Sequence, residues 1–307
     1  MGQHGRTLQK IFALLLIAAS VFAGALADGI VYTENEWNFV DASMDVSGGI
    51  PEGAAGALLR IRESGVLRVA TEPYYPPQEF IDPALTDQAA YVGADMELAR
   101  FIADQMGVTL EIVPMALSQV LPAVADGTCD LAISALAFVP ARADLVELSK
   151  GYYFAEGDPG SGILIREGDR DVIQGVADLA DRVIGAQSSS LQETLTAEHV
   201  LQYKEFQRFS SVQEVYAALQ EGQVDAATVD IGPAQAYIQN NPGCGLMLVD
   251  GVSFALDAQF KGDRIAGRKG DLALMYYING VLDLVLAQDL YTQWIGQAEL
   301  RAAELGL

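Results

Sequence analysis

A few side chains, far apart in the sequence, have the types needed to hold a small zwitterion. Arg142 closes the otherwise apolar run Ala137-Phe138-Val139-Pro140-Ala141-Arg142. A guanidinium in a low-dielectric cleft gives bidentate recognition of a carboxylate; the competing reading is a solvated arginine at a helix start. Ser188-Ser189-Ser190 precede a helix expected near Leu191. Their N–H groups and hydroxyls suit an anion at a helix N-terminus, or an ordinary N-cap. Asp230 ends an apolar run, so its charge needs a partner if buried. A ligand ammonium supplies one, and so does the helix that begins near Gly232-Pro233. Tyr75, in a proline-rich loop, offers a ring to the apolar part or cation of a ligand. Carboxylate at Arg142 and the serine turn, with ammonium at Asp230, makes a trap that a ligand pulls shut across a hinge.

The elements that would position these groups alternate. Leu67 to Thr71 reads as a strand, followed by a loop forced by Pro73, Pro76 and Pro77. Asp95 opens a helix with Leu98, Phe101, Ile102 and Met106 on one face, and Gly107 stops it. A strand to Pro114, a helix from Ser118 to Asp126 and a strand from Asp130 to Ser134 follow. A second alternating block runs from about 160 to 250, with strands at Ile163–Arg166, Val183–Gln187, Glu205–Phe209, Ala226–Asp230 and Leu246–Asp250. Its helices are expected near 191–199, 212–220 and 233–240. The last stretch, Leu272 to Ile295, reads as a long helix or a helix pair broken near Gly280. Strand–helix alternation predicts an α/β fold with mostly parallel sheets flanked by helices. The blocks echo each other: a helix, Gly127, Asp130 and a strand ending at Ser134, then a helix, Gly222, Asp225 and a strand ending at Asp230. Ligands in such sheets bind beyond the carboxyl ends of the strands. That rule selects Glu72 to Tyr75, Ser134 onward, Gln187 to Ser190, and Asp230, and two facing lobes bring them to one cleft.

The remaining features set the setting. Arg6 and Lys10 precede the apolar run Ile11 to Val21, and Ala25-Leu26-Ala27 gives a small-x-small pattern. This predicts a signal peptide over 1–27 cleaved after Ala27, hence a periplasmic, secreted protein. No Cys lies at the cleavage point for a lipid anchor, and the apolar run is shorter than a membrane span. About 280 mature residues exceed one core and predict two lobes, 56–155 plus 256–307 and 156–255, after an irregular extension over 28–55. The hinge crossovers are expected near 154–160 and 251–257. The formal charge of −23 disfavours nucleic acid and anionic membranes as partners and suits a soluble monomer. Cys129 and Cys244 read as a small core residue and an isolated thiol rather than a disulfide framework. Two histidines without metal-binding spacing give no reason to expect a metal or other cofactor.

Taken in order, a set of landmarks resembles the family 3 extracellular solute-binding proteins, polar amino-acid receptors of ABC transporters. They are Gly65-Val66-Leu67-Arg68-Val69-Ala70, Tyr75-Pro76-Pro77-Gln78-Glu79-Phe80, Gly93-Ala94-Asp95-Met96-Glu97-Leu98-Ala99, Gly127-x-x-Asp130-x-x-x-Ser134, Pro140-Ala141-Arg142, Gly222-x-x-Asp225 and Gly267-Arg268-Lys269-Gly270-Asp271. The resemblance covers roughly Gly65 to Gly296. The resemblance implies a periplasmic-binding-protein-like fold with two crossovers, and a receptor without catalysis that serves an ABC permease in the inner membrane. It implies Arg142 and Ser189 for ligand carboxylate, Asp230 for ammonium, Tyr75 and Leu117 as apolar walls, and Ser134 as a polar contact. Glu72 stands where members that prefer basic ligands offer an acid. Two positions depart from the family: Ala137 where a Ser or Thr is usual, and Leu117 where many members have an aromatic ring. The alternative function is a periplasmic dehydratase on the same scaffold, similar to cyclohexadienyl dehydratase and acting on a prephenate-like acid. That chemistry needs a general acid such as Glu72 or Glu79.

Overall fold

The computed structural model describes residues 39–155, 157–254 and 261–307. The expected leader, its cleavage point and part of the second expected crossover lie outside them. The chain opens with α1 (Gly56–Ser64), β1 (Val66–Thr71), β2 (Tyr74–Tyr75), β3 (Glu79–Ile81) and β4 (Tyr91–Val92). Then come α2 (Ala94–Met106), β5 (Thr109–Pro114), α3 (Leu117–Asp126), β6 (Leu131–Ala137), α4 (Pro140–Leu145) and β7 (Val146–Leu148). The next block holds β8 (Ser161–Arg166), β9 (Val183–Gln187), α5 (Leu191–His199), β10 (Glu205–Phe209), α6 (Val212–Gln220), β11 (Ala226–Asp230), α7 (Ile231–Asn240) and β12 (Leu246–Leu248). The chain ends with β13 (Asp263–Arg268), α8 (Leu272–Ala287) and α9 (Leu290–Leu305).

Two five-stranded sheets result, ordered β5-β1-β6-β13-β7 and β10-β9-β11-β8-β12. Period-two alternation divides the residues of each strand between two cores. In the first lobe Leu67, Val69, Leu131 and Ile133 face α1, α2 and α8, while Ala70, Ala132 and Leu136 face α3 and α4. The second lobe repeats this, with Ile163, Ile165 and Ile184 packed toward α5 and Leu164, Ala227 and Val229 toward α6 and α7.

Both sheets are mixed in the same way. β1, β5 and β6 run parallel, and β13 is antiparallel to both β6 and β7. β9, β10 and β11 run parallel, and β8 is antiparallel to both β11 and β12. Four strands of each sheet therefore point one way and one points back. The reversed strands are the two that follow a crossover. A chain arriving from the cleft must run away from it, whereas the other strands deliver their carboxyl ends to it.

The stretch from Phe39 to Ile50, expected to be irregular, is a strap across the first lobe. Val40 N–H donates to the Leu148 carbonyl and Met44 N–H to the Tyr276 carbonyl. Fully buried Asn279 donates to the carbonyls of Val40 and Ala42. Gly280 lets the strap approach, because a Cβ there would stand 2.2 Å from the Met44 carbonyl oxygen. This corrects the expected break at Gly280, which lies inside α8. The helix ends instead at Gln288 and Asp289, and Asp289 takes φ 51°. Cys129 and Cys244 are both free thiols.

Candidate functional site

The carboxyl ends of β1, β6, β9 and β11 meet at a cavity of about 950 Å³ between the two sheets. Glu72, Tyr75, Leu117, Ser134, Arg142 and Asp230 all line it. Arg142 and Asp230 thus share one space although 88 positions separate them in sequence. Of the serine triplet, Ser190 lines the cavity. Ser188 and Ser189 do not, but each is engaged close by.

Arg142 is buried within α4, which removes the reading of it as a solvated arginine. Its Nη1 donates to the Ala137 carbonyl at 2.8 Å and its Nη2 crosses the cleft to the Ser189 carbonyl at 2.9 Å. Ser189 thus meets Arg142 through its backbone carbonyl, in a left-handed turn with φ 64°. Ser190 is an N-cap, its hydroxyl accepting Glu193 N–H at 3.1 Å, so the capping reading of the triplet holds for this member. Ser188 N–H donates to the Phe209 carbonyl at the edge of β10. Burial lowers the Arg142 guanidinium to about 10, opposed by the charge of Asp263.

Asp230 meets the helix expected near Gly232-Pro233 by position, and the partner of its carboxylate is the Tyr75 hydroxyl. It stands at the N-cap position of α7, and its Oδ2 accepts the Tyr75 hydroxyl from across the cleft at 2.6 Å. Burial raises its carboxyl to about 6, while the Tyr75 hydroxyl and the Gly232 N–H pull it back. Gln213 Nε2 adds a third cross-cleft bond, to the Tyr74 carbonyl at 2.8 Å.

Acids dominate the wall. Ser134 Oγ donates to Glu79 Oε1 at 2.9 Å and accepts Glu72 N–H at 3.0 Å. Glu72 is buried, its Oε1 has no hydrogen-bond partner, and burial pushes its carboxyl up to about 8 against the pull of the Gln187 side chain. Glu79 is raised by burial and by the charges of Asp95 and Glu72. Gln187 and Asp263 also line the cavity, and burial raises Asp263 most, followed by the nearby carboxylates, with Arg142 opposing. Gln187 falls in the span selected by the strand-end rule. Asp263 was missed because it opens the crossover strand β13, which carries no alternating pattern of its own. Among the described residues, no group of acids, histidines and cysteines is placed to hold a metal ion, and no helix is long and apolar enough to cross a membrane.

Known proteins resemble this chain in sequence and fold. The profile of the Bacterial extracellular solute-binding proteins, family 3, matches residues 67–297. An amino acid ABC transporter substrate-binding protein from Streptococcus pneumoniae, solved bound to L-arginine, superposes with a TM-score of 0.69 at 28% identity, covering 80% of this chain and 98% of that one. The L-arginine-binding protein of Pseudomonas aeruginosa is 25% identical over 231 residues, 74% of this chain and 85% of that protein. Cyclohexadienyl dehydratase of the same species is 36% identical over 77 residues, 25% of this chain and 27% of the enzyme.

Proposed function

This chain belongs to the bacterial extracellular solute-binding proteins of family 3, and from that premise we propose that it captures an amino acid with a cationic side chain and presents it to an ABC transporter outside the cytoplasm. The lobes doing so are 56–155 with 256–307, and 156–255. Arg142 takes the ligand carboxylate and Asp230 its ammonium. Tyr75 and Leu117 flank the side chain, and Glu72 meets its distal charge.

The observation that carries this reading is the charge layout of the cavity. The buried Arg142 and the exposed Lys261 share the wall with six acids, among them Glu72, Asp230 and Asp263. A neutral zwitterion satisfies Arg142 and one acid, and leaves the buried Glu72 carboxyl without a cation. A buried carboxylate without a cationic partner is costly. A second cation on the ligand removes that cost. Titration calorimetry of the purified protein with L-arginine, L-lysine, L-histidine, L-glutamine and L-glutamate tests it. Cationic ligands bind tightest on this reading, and a preference for glutamate overturns it.

One observation favours the dehydratase as a second reading. A carboxyl held at about 8 is protonated at neutral pH and suits a general acid. Incubation with prephenate and arogenate separates the two, because an enzyme consumes them in a Glu72-dependent way and a receptor leaves them intact.

A further inference from the structure

β6 reaches the cavity through an irregularity. Along β13, Arg264 lies opposite Leu136 and Ala266 opposite Ala132, so the stretch 133–135 faces Ile265 alone. This is a bulge, a device that re-aims side chains beside sites. Within it Ala135 takes φ 44°, in the left-handed region that a residue bearing a Cβ enters only at a cost. Ser134 precedes the kink. The Ala137 carbonyl, two residues beyond it, holds Arg142 Nη1 at 2.8 Å.

Glu79 accepts the Ser134 hydroxyl within this stretch, and a second carboxylate meets the backbone of the kink itself. Ala135 N–H donates to Asp95 Oδ2 at 2.8 Å. Asp95 is fully buried at the start of α2 and is not part of the cavity wall. It also accepts the Tyr152 hydroxyl, at 2.8 Å and 3.0 Å to its two oxygens, and the Tyr291 hydroxyl at 2.7 Å. Donors from the bulge, from the segment after β7 and from α9 therefore converge on it, and the Glu79 carboxyl bonds it as well. A neutral amide has one acceptor oxygen where the carboxylate has two, so it cannot serve this set.

We propose that Asp95 is a positioning residue of the ligand site: it pins the left-handed bulge at Ala135 and so sets where Ser134, the Ala137 carbonyl and the Arg142 guanidinium stand. The inference rests on the amino-acid reading of the cavity. Its distinguishing consequence concerns glycine, which occupies the left-handed region without strain. With Gly at position 135 the anchor has less to do.

The test is a double-mutant cycle of D95N and A135G in the full chain, read by L-arginine calorimetry and by urea unfolding. D95N is expected to weaken L-arginine binding about tenfold, the scale of one strained backbone residue. D95N/A135G should recover most of that loss, and the unfolding free energies should be non-additive in the same sense. Should D95N fail to fold, folding of the double variant is the same rescue. Equal loss in D95N and D95N/A135G with additive unfolding, or failure of both to fold while A135G folds, overturns the anchor. A wild-type protein that ignores L-arginine, L-lysine and L-histidine brings down the reading of the cavity instead, and the unfolding cycle still decides the anchor.

Discussion

In the first lobe, Asp130 N–H donates to the Arg68 carbonyl at 2.9 Å and the Asp130 carboxylate accepts Arg68 N–H at 3.0 Å. In the second, Asp225 N–H donates to the Val183 carbonyl at 2.7 Å and its carboxylate accepts Val183 N–H at 2.9 Å. Each aspartate thus clips the strand after it to the neighbouring strand, just past a helix and a left-handed glycine, Gly127 or Gly222. Beyond the clips the likeness stops. β6 bulges at Ala135 and leads on to Arg142, whereas β11 pairs with β8 without a slip from Ala226 to Asp230 and ends there. The groups of the first lobe are cross-braced through Ser134, Glu79 and Asp95. In the second lobe, Asp230 takes its shortest bond from Tyr75 of the opposite lobe. Matching scaffold carries the sheets, and the cavity-lining groups sit where the likeness ends. On the proposed reading, one lobe is pre-organised to receive a ligand, and the other completes its shell on closing.

If that division is right, the largest effect belongs to the first lobe. R142A should cost about 2–5 kcal/mol of amino-acid affinity by calorimetry, the range for truncating a buried charged partner, with circular dichroism unchanged. An affinity within threefold of wild type would mean the guanidinium is a brace between lobes and nothing more. D230N comes next, at about 1.5–3 kcal/mol, the worth of a hydrogen bond to a charged group. Its loss should appear mainly in the ligand dissociation rate, because a closing contact acts after encounter. A slower association rate instead would erase the proposed order of engagement.

E72Q should cost L-arginine about tenfold in affinity and L-glutamine little. Its pH signature is sharper. The ligand-free carboxyl titrates at about 8, so it is mostly protonated at neutral pH, and a bound cation favours the ionised form. Binding of L-arginine should therefore release a proton, and affinity should rise with pH until about 8 and then level off. Calorimetry in two buffers of different ionisation enthalpy checks the release in wild type and its loss in E72Q. The smallest effects belong to the clips. D130A and D225A should each cost about 1 kcal/mol of stability, read by urea unfolding, and should change affinity less than any cavity substitution. Unequal costs would show that the two clips only look alike.

Periodicity made much of this architecture legible. Strands such as Val183–Gln187 and helices such as Val212–Gln220 have the expected bounds, because their apolar spacing is unambiguous and both ends carry turn residues. The short crossover-side strands β7 and β13 escaped, since they are defined by pairing across the sheet rather than by a pattern of their own. Gly280 misled for a physical reason: glycine mid-helix usually signals a stop, but here it admits another backbone. In the site, Arg142 and Asp230 were readable from charges placed in apolar runs. The backbone role of Ser189 was not readable, since a carbonyl leaves no trace in residue type. Nor was the anchor at Asp95, because nothing in an alanine announces a left-handed conformation.

The strap over α8 bears on how force would travel through the molecule. Its amino end enters at Phe39, whose ring lies 3.9 Å from the Arg264 guanidinium on β13, and its backbone is then sewn to β7 and α8. Tension applied from that end is transmitted to β7, β13 and α8 of the first lobe. A linker or surface attached there would pull on the first lobe and reach the second only through it.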